Sequence, residues 1–152
     1  MEIKEIGAVI EKIIETVESL IPEFLNNPAD RNVSNGNAAI CIIDNKGKIY
    51  GRLFGTDKIR SRHSYKIAWI KASQVWITGM KTGDYEKAVF NNQIDEHKFN
   101  IMRPDFVGWE GGQPLIINGG TMISVGFSGF RGFKDAEIVA KAYTLIRSGK
   151  AD

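Results

Sequence analysis

The hydrophobic pattern of the first twenty residues predicts an amphipathic helix. Isoleucine, valine and leucine recur there at three- and four-residue steps, and charged residues, mostly glutamates, stand between them. This spacing places the apolar side chains on one face of a helix, which we expect to end near Pro22. Residues 24–36 are rich in Asn, Pro, Asp and Ser, a composition typical of a loop.

The next change of pattern predicts a β-hairpin and then a buried helix. Two apolar segments, residues 37–44 and 48–54, flank a short Asn-Lys-Gly turn, as the strands of a hairpin do. Residues 61–79 are apolar on most sides, which is typical of a helix packed between a sheet and a second surface. Gly79 or Gly83 is expected to end this helix.

The last third of the chain predicts a second hairpin followed by a helix. Residues 115–117 and 122–125 are apolar and flank an Asn-Gly-Gly turn. After three spaced glycines, Asp135 marks an expected helix start, an apolar stripe follows, and Gly149 lies just beyond the end. Together the pattern predicts one antiparallel sheet with helices on its faces.

Residues 84–112, between the buried helix and the second hairpin, have a sequence that predicts little regular structure. Residues 84–92 are compatible with a short helix capped by Asp84. Residues 93–112 contain Pro104 and three glycines and are expected to form a loop of nearly twenty residues. A loop of this length in a compact domain usually carries a function or covers a partner.

Composition limits the class of protein to which this chain can belong. The 152 residues, 43% of them hydrophobic, fit one domain spanning residues 1–152. Twenty basic against eighteen acidic residues leave a formal charge of +2, and the basic residues are mostly scattered, which argues against nucleic acid as a partner. Charges interrupt the N-terminal apolar positions, so we expect no signal peptide, no membrane span and a cytoplasmic protein. A single cysteine, Cys41, excludes an internal disulfide.

Four segments carry a resemblance to a known family. They are the hairpin turn with Asp44 and Gly47, the Ser-Tyr-Lys-Ile-Ala stretch of residues 64–68 continuing to Lys71 and Ala72, the Gly-Gly-Gln-Pro-Leu stretch of residues 111–115, and the Gly-Phe-Ser-Gly stretch of residues 126–129 followed by residues 135–140. In this order and spacing they resemble the GlcG/HbpS-like family of heme-degrading-protein-like domains. That family is also similar to the C-terminal domain of some corrinoid adenosyltransferases.

The resemblance implies a fold and a class of function. It implies an α+β protein of one α/β/α layered domain, profilin-like, with a five-stranded antiparallel sheet and helices on its faces. It also implies a homo-oligomer that binds a small molecule, with heme or a related tetrapyrrole as the ligand. Residues 97–110 and residues 130–133 depart from the family pattern, and both segments fall near the expected ligand.

Heme needs one axial ligand, an apolar slot and a cation for its propionates. His97 or His63 can supply the ligand; otherwise each is an ordinary surface histidine. His97 lies in the long loop with Arg103 nearby, and His63 precedes the apolar part of the buried helix among basic residues. Two histidines are too few for a three-histidine zinc site.

The expected pocket lies between residues 102–112 and residues 127–135. Arg103 and Trp109 would contribute from the loop, and Gly129, Arg131 and Asp135 from the turn. Unpaired N–H groups at a helix start favour an anion, and an arginine there adds a full charge. The simpler interpretation is that the glycines allow close packing and that the Asp135 carboxylate caps its helix.

An enzyme is the alternative function. In that case the same pocket would process a small oxygenated or aromatic carboxylate metabolite, with His97 or Glu110 moving a proton. The apolar surface of residues 61–79, including Trp69, Val75 and Trp76, exceeds what one sheet face needs, so we expect a subunit contact there.

Overall fold

Four antiparallel strands form the centre of residues 3–149, the part of the chain described by the computed structural model. In chain order the strands are β1 (Ala39–Ile43), β2 (Ile49–Leu53), β3 (Gly112–Ile117) and β4 (Thr121–Ser128). Their order across the sheet is β2-β1-β4-β3. Both predicted hairpins are present, and the long connection between β2 and β3 carries the chain from one edge of the sheet to the other.

Five α-helices cover the two faces of this sheet. They are α1 (Ile3–Phe24), α2 (Pro28–Ser34), α3 (Lys58–Thr78), α4 (Thr82–Phe90) and α5 (Gly132–Arg147). α1 and α5 pack against each other over one face, and α3 covers the other face. The predicted α/β/α layering is therefore confirmed. No helix within residues 3–149 is both long and apolar enough to cross a membrane.

The alternation of side chains along β1 divides the core into two parts. Ile40 and Ile42 face α1 and α5 in the larger apolar cluster, while Ala39, Cys41 and Ile43 face α3 in the smaller one. Small residues dominate the α3 side, and a Cβ on Gly126 would collide with the carbonyl oxygen of Ala68. α3 can therefore lie directly on the sheet only because β4 has a glycine at that point.

The expectation of a five-stranded sheet is wrong for the described residues, which form four strands. The segment at residues 91–111 supplies no strand, and Asn92 and Asn100 within its first half adopt left-handed backbone conformations. β3 is left as an edge strand, and Pro114 within it lacks an N–H group for a further neighbour.

Several helix boundaries also differ from the predictions. α1 continues through Pro22 to Phe24, because Ile21 and Phe24 are buried and hold the final turn in place. The predicted loop at residues 24–36 contains α2, whose start is capped by the Asn27 side chain and has a proline as its first residue. α4 begins at Thr82, two residues before the cap predicted at Asp84.

Local capping interactions set both ends of α3, and the start of α5 differs from the prediction. α3 starts after Asp57, whose carboxylate accepts a hydrogen bond from the Arg60 N–H at 3.2 Å, and ends at Gly79 with a left-handed conformation, as predicted. α5 starts at Gly132 instead of Asp135. Asp135 is consequently inside the first turn and points into the protein.

Candidate functional site

A groove between α2 and α3 holds one of the two candidate histidines. It has a volume of about 470 Å³ and is closed at its end by the last residue of β4 and the glycine that follows. Its lining residues are Val33, Ser34, Ile59, Arg60, His63, Ser64, Ile67, Ser128 and Gly129. Three of these nine residues are aliphatic and three are serines, with a single imidazole and a single guanidinium.

The spacing of residues along α3 creates this wall. Ile59, His63 and Ile67 are four residues apart, so they share one face of the helix. Ile59 is 84% exposed and Val33 on α2 is 44% exposed. The groove therefore offers water an apolar surface that a flat hydrophobic ligand would cover.

Buried hydrogen bonds fix the floor of the groove. The Ser34 hydroxyl donates to the Gly129 carbonyl at 2.7 Å, and the Ser64 hydroxyl donates to the Asn37 carbonyl at 2.7 Å. Gly129 has a φ of +152°, and a Cβ there would collide with Ala38. These contacts hold α2, α3 and the end of β4 together, so the groove is formed without any ligand.

The charged side chain that lines this groove, Arg60, is basic, and further basic residues are near it on α3. Arg60 donates through one terminal nitrogen to the Val33 carbonyl at 2.8 Å, and Arg62 and Lys66 are exposed on the same two turns of α3. The His63 side chain is exposed and has no hydrogen-bond or ion-pair partner within residues 3–149. Its ring nitrogens are therefore available to a ligand.

His97 lines a different hollow, which shares no residue with the groove of His63. That hollow has a volume of about 580 Å³ and includes Phe90, Ile94, Asp95, Glu96 and His97. The ring nitrogen Nε2 of His97 lies 3.6 Å from a Glu96 carboxylate oxygen. A second carboxylate, that of Asp95, lines the same hollow, so the surroundings of His97 are acidic.

The structure brings Arg103 to the neighbourhood of His97. The Arg103 guanidinium stacks over the ring of Phe90, with 4.6 Å from its central carbon to the ring centroid. Phe90 also lines the hollow of His97. Arg103, predicted to lie near His97 in the long loop, therefore contacts a ring that lines the same hollow as His97.

The expected pocket between the long loop and the start of α5 is only a narrow cleft. Phe106 is buried in contact with the Tyr85 ring, and Trp109 is 63% exposed at the surface. The remaining cleft has a volume of about 130 Å³ and includes Glu110. This is below the range of about 300–1,000 Å³ usual for sites of drug-sized ligands, so a tetrapyrrole does not fit there.

Arg131, predicted to hold an anion, has an internal partner. Its guanidinium donates to both oxygens of Asp30, at 3.0 Å in each case, and the Asp30 side chain is completely buried in α2. Hydrogen bonding from Arg131 holds the pKa of Asp30 below its usual value. The charge of Arg131 is therefore used to anchor α2 to the start of α5.

Asp135 also has an internal partner. Its carboxylate accepts a hydrogen bond from the Phe130 N–H at 2.7 Å and another from the Lys71 ammonium at 3.2 Å. Burial raises the pKa of Asp135 to about 7 and lowers the pKa of Lys71, because the apolar surroundings disfavour both charges more than the pair favours them. Sequence analysis missed this pair, although a lysine within an otherwise apolar stretch was a visible signal.

An apolar groove between α3 and the hairpin of β1 and β2 is the third large concavity. It has a volume of about 570 Å³ and includes Trp69, Trp76, Ile77 and the β2 residue Ile49. All four side chains are between 43% and 51% exposed. Val75, predicted for the same surface, is instead fully buried against the sheet.

Comparisons with known proteins identify the family and the fold. The family model described as "Haem degrading protein HbpS-like" matches residues 15–144. A search of curated protein sequences finds no match. Among solved structures, a Klebsiella pneumoniae protein called ORFY has a TM-score of 0.67 at 19% identity, covering 93% of this chain and 89% of its own.

Two further structures share the fold. The PduOC:heme complex has a TM-score of 0.61 at 15% identity and covers 95% of this chain and 93% of its own. A double mutant of HbpS from Streptomyces reticuli has a TM-score of 0.53 at 14% identity and covers 86% and 84%. At these identities the similarity establishes a common fold and leaves the site to be argued from its own residues.

Proposed function

This chain belongs to the family of HbpS-like heme-degrading proteins, and from that premise we propose that it is a small-ligand-binding domain for heme or a related tetrapyrrole. Of the concavities described above, the groove between α2 and α3 suits this ligand best. The observation that carries the proposal is His63, an unpartnered imidazole that lines the same groove as Arg60 and three aliphatic side chains.

The shape and chemistry of the groove support heme. Its volume of about 470 Å³ lies within the range usual for ligand sites of this kind. Ile59, Val33 and Ile67 would pack against the faces of a macrocycle, and His63 would supply the axial nitrogen. Arg60 would pair with a propionate, since a guanidinium binds carboxylates through two parallel hydrogen bonds.

The hollow of His97 is a weaker candidate for the same ligand. Its volume is sufficient, but the carboxylates of Asp95 and Glu96 lie beside the histidine. They would repel the two propionates of heme, whereas the groove of His63 has only basic side chains among its charged lining residues.

A hemin titration followed by visible absorption tests this proposal. The wild-type protein should show a saturable Soret shift, His63→Ala should lose it, and the matched variant His97→Ala should keep it. Arg60→Gln should weaken binding without changing the shape of the bound spectrum, because it removes a propionate partner and leaves the axial ligand in place. Circular dichroism of each variant checks that it is folded.

The outcomes separate the two histidines. Loss of the shift in His97→Ala and its retention in His63→Ala would move the site to the other hollow. A wild-type protein without any Soret shift at micromolar concentration would overturn heme binding altogether.

We further propose that the protein is a homo-oligomer that uses the groove of Trp69 and Trp76. Four half-exposed apolar side chains lie together on this surface, whereas the exposed apolar residues of a monomer are normally scattered singly. A subunit contact would cover them. The cytoplasmic location stays a prediction. The enzymatic alternative also stays a prediction, and its two expected proton carriers, His97 and Glu110, line different concavities.

A further inference from the structure

The two edge strands of the sheet differ in how well they are protected. The Phe127 N–H donates to the Gly111 carbonyl at 3.0 Å, so the alternation of an antiparallel pair turns the backbone of Pro114 away from β4, where its missing N–H interrupts the outer edge of β3. The Tyr143 hydroxyl also donates to the Ile116 carbonyl on β3 at 2.9 Å. β2, the opposite edge strand, contains no proline. An edge without such protection is a template for a further strand.

The backbone of β2 alternates between β1 and the free side of the sheet. The Phe54 N–H donates to the Ala38 carbonyl at 2.8 Å, and the Asp44 N–H donates to the Lys48 carbonyl at 2.9 Å. In an antiparallel pair such hydrogen-bonded positions alternate with positions whose N–H and C=O groups point outward. The β2 residues with outward groups are Ile49, Gly51 and Leu53.

The side chains at these outward positions are apolar and open to water. Ile49 is 51% exposed and Leu53 is 50% exposed, and Gly51 between them is exposed as well. Natural sheets commonly place a charge or a proline at such positions to prevent pairing, and β2 has neither there. Ile49 also lines the groove of Trp69 and Trp76, so the open edge and that apolar groove are continuous.

A second copy of β2 is complementary to this edge. When two β2 strands lie antiparallel about a two-fold axis at Gly51, Ile49 of one copy is opposite the partner's Leu53. Every outward N–H and C=O group of one strand then faces an outward group of the other. The apolar side chains meet apolar side chains across the axis, so both kinds of exposed group are satisfied by the same partner.

The charges of β2 select this register. In it Arg52 lies opposite the partner's Tyr50, and no like charges are directly opposed. The smallest shift that keeps outward groups facing each other is two residues. It places Arg52 opposite the partner's Arg52 in one direction and opposite the partner's Lys48 in the other. Like charges directly opposite each other destabilise a strand pair.

We propose that two copies of this chain pair antiparallel through their β2 strands about a two-fold axis at Gly51, so that one continuous sheet runs through both subunits. This inference rests on the proposed homo-oligomer and names the strand that joins its subunits. The outward main-chain groups gain hydrogen bonds in this contact, and Ile49 and Leu53 lose exposure to water. The groove of Trp69 and Trp76 begins beside the contact, at Ile49.

Cysteine cross-linking tests the register on the full chain. The double variant Ile49→Cys/Leu53→Cys should form a disulfide-linked dimer on mild oxidation, seen by non-reducing electrophoresis. Opposite residues of a hydrogen-bonded antiparallel pair have Cα atoms about 5.5 Å apart, within reach of a disulfide. Each single variant is a matched control and should stay uncross-linked, because its two thiols are displaced by four residues, roughly 13 Å along the strand. The native Cys41 is buried and should not react.

Light scattering after size-exclusion chromatography separates this inference from the oligomer itself. Leu53→Lys should lower the measured mass to half or less, because it places a charge at the paired edge. Ile116→Lys is the matched control, since Ile116 is a 59% exposed apolar residue on the other edge strand, and it should keep the wild-type mass. Circular dichroism checks that both variants are folded.

The outcomes distinguish a wrong strand from a wrong oligomer. An oligomer that does not cross-link in the double variant, or that cross-links in a single variant, would overturn the β2 pairing and leave the homo-oligomer standing. A monomeric wild type would overturn both, and would leave the open edge to a strand of a different protein.

Discussion

The ammonium group of Lys71 lies 3.2 Å from the carboxylate of Asp135, and the two side chains are only 2% and 3% exposed. Lys71 also donates to the Phe127 carbonyl at 2.9 Å, so the pair connects α3, the end of β4 and the first turn of α5. A Cβ on Gly111 would lie 2.7 Å from the same ammonium nitrogen, which leaves this position no room for a side chain.

Stability should depend on pH through Asp135. Burial raises its pKa from 3.8 to about 7, so between these values the folded protein binds a proton that the unfolded chain releases. The contribution of this bound proton to the free energy of unfolding is complete below about pH 4 and is lost as the pH rises through 7. Urea unfolding at pH 5 and pH 7.5 should show a larger decrease of the unfolding free energy in the wild type than in Asp135→Asn. A wild type that gains stability over this interval, relative to the variant, would mean that the ion pair outweighs desolvation.

Removing one partner of the pair should cost more than removing both. Lys71→Ala leaves the Asp135 carboxylate buried without its ion, and such a loss typically destabilises by about 3–5 kcal/mol. The double variant Lys71→Met/Asp135→Leu places apolar groups in the same volume and should recover most of that loss. Chemical denaturation of both variants at pH 8 measures the difference; equal destabilisation would show that packing, and not the charge, dominates.

Gly129→Val should destabilise the protein by at least about 1 kcal/mol, since a β-branched residue is strained at positive φ. The new side chain would also collide with Ala38. Gly120→Val is the control, because that glycine has a φ of +87° with open space around it. Thermal denaturation should rank Gly129→Val below Gly120→Val, and a wild-type melting temperature for the former would contradict the assignment. Gly132 begins α5 without a positive φ, so this backbone argument does not extend to it.

Arg131→Ala should lower the melting temperature. The substitution leaves the carboxylate of Asp30 completely buried without its guanidinium. Because Arg131 lowers the pKa of Asp30, this stabilisation is present above the ordinary Asp pKa and is lost as the pH falls through the folded value. Lys141→Ala, which breaks an exposed pair with Glu23, should change the melting temperature little. Equal effects of the two substitutions would show that Arg131 is not a structural anchor.

Trp76→Asp and Trp69→Asp should each convert the protein to a smaller species in size-exclusion chromatography. A carboxylate in a packed apolar contact is strongly unfavourable. Trp109→Asp is the matched control, because Trp109 is also exposed but lies outside this groove. Helical circular dichroism should be retained in all three variants. Identical elution of wild type and groove variants would place the subunit contact elsewhere.

The hydrophobic pattern alone determined most elements of this protein. Apolar segments on either side of a turn located both hairpins, period-3.6 spacing located α1 and α5, and a stretch that is apolar on most sides located α3; these signals are local and need no knowledge of neighbours. Asn27 followed by proline was a local signal for α2 that we did not use. The missing fifth strand was a different failure, since it was inferred from a family and not from the residues of this chain.

Only the tertiary structure decided which candidate residues meet. The sequence did not identify Asp30 as the partner of Arg131 or Lys71 as the partner of Asp135. These partners are 101 and 64 residues apart and meet only when α2, α3 and α5 pack on the sheet. The same packing separated Arg103 and His97 from Arg131 and placed His63 beside Gly129. Local spacing specifies which face of a helix is apolar, but the neighbour of each charged side chain depends on the order of strands and on the layer in which each helix lies.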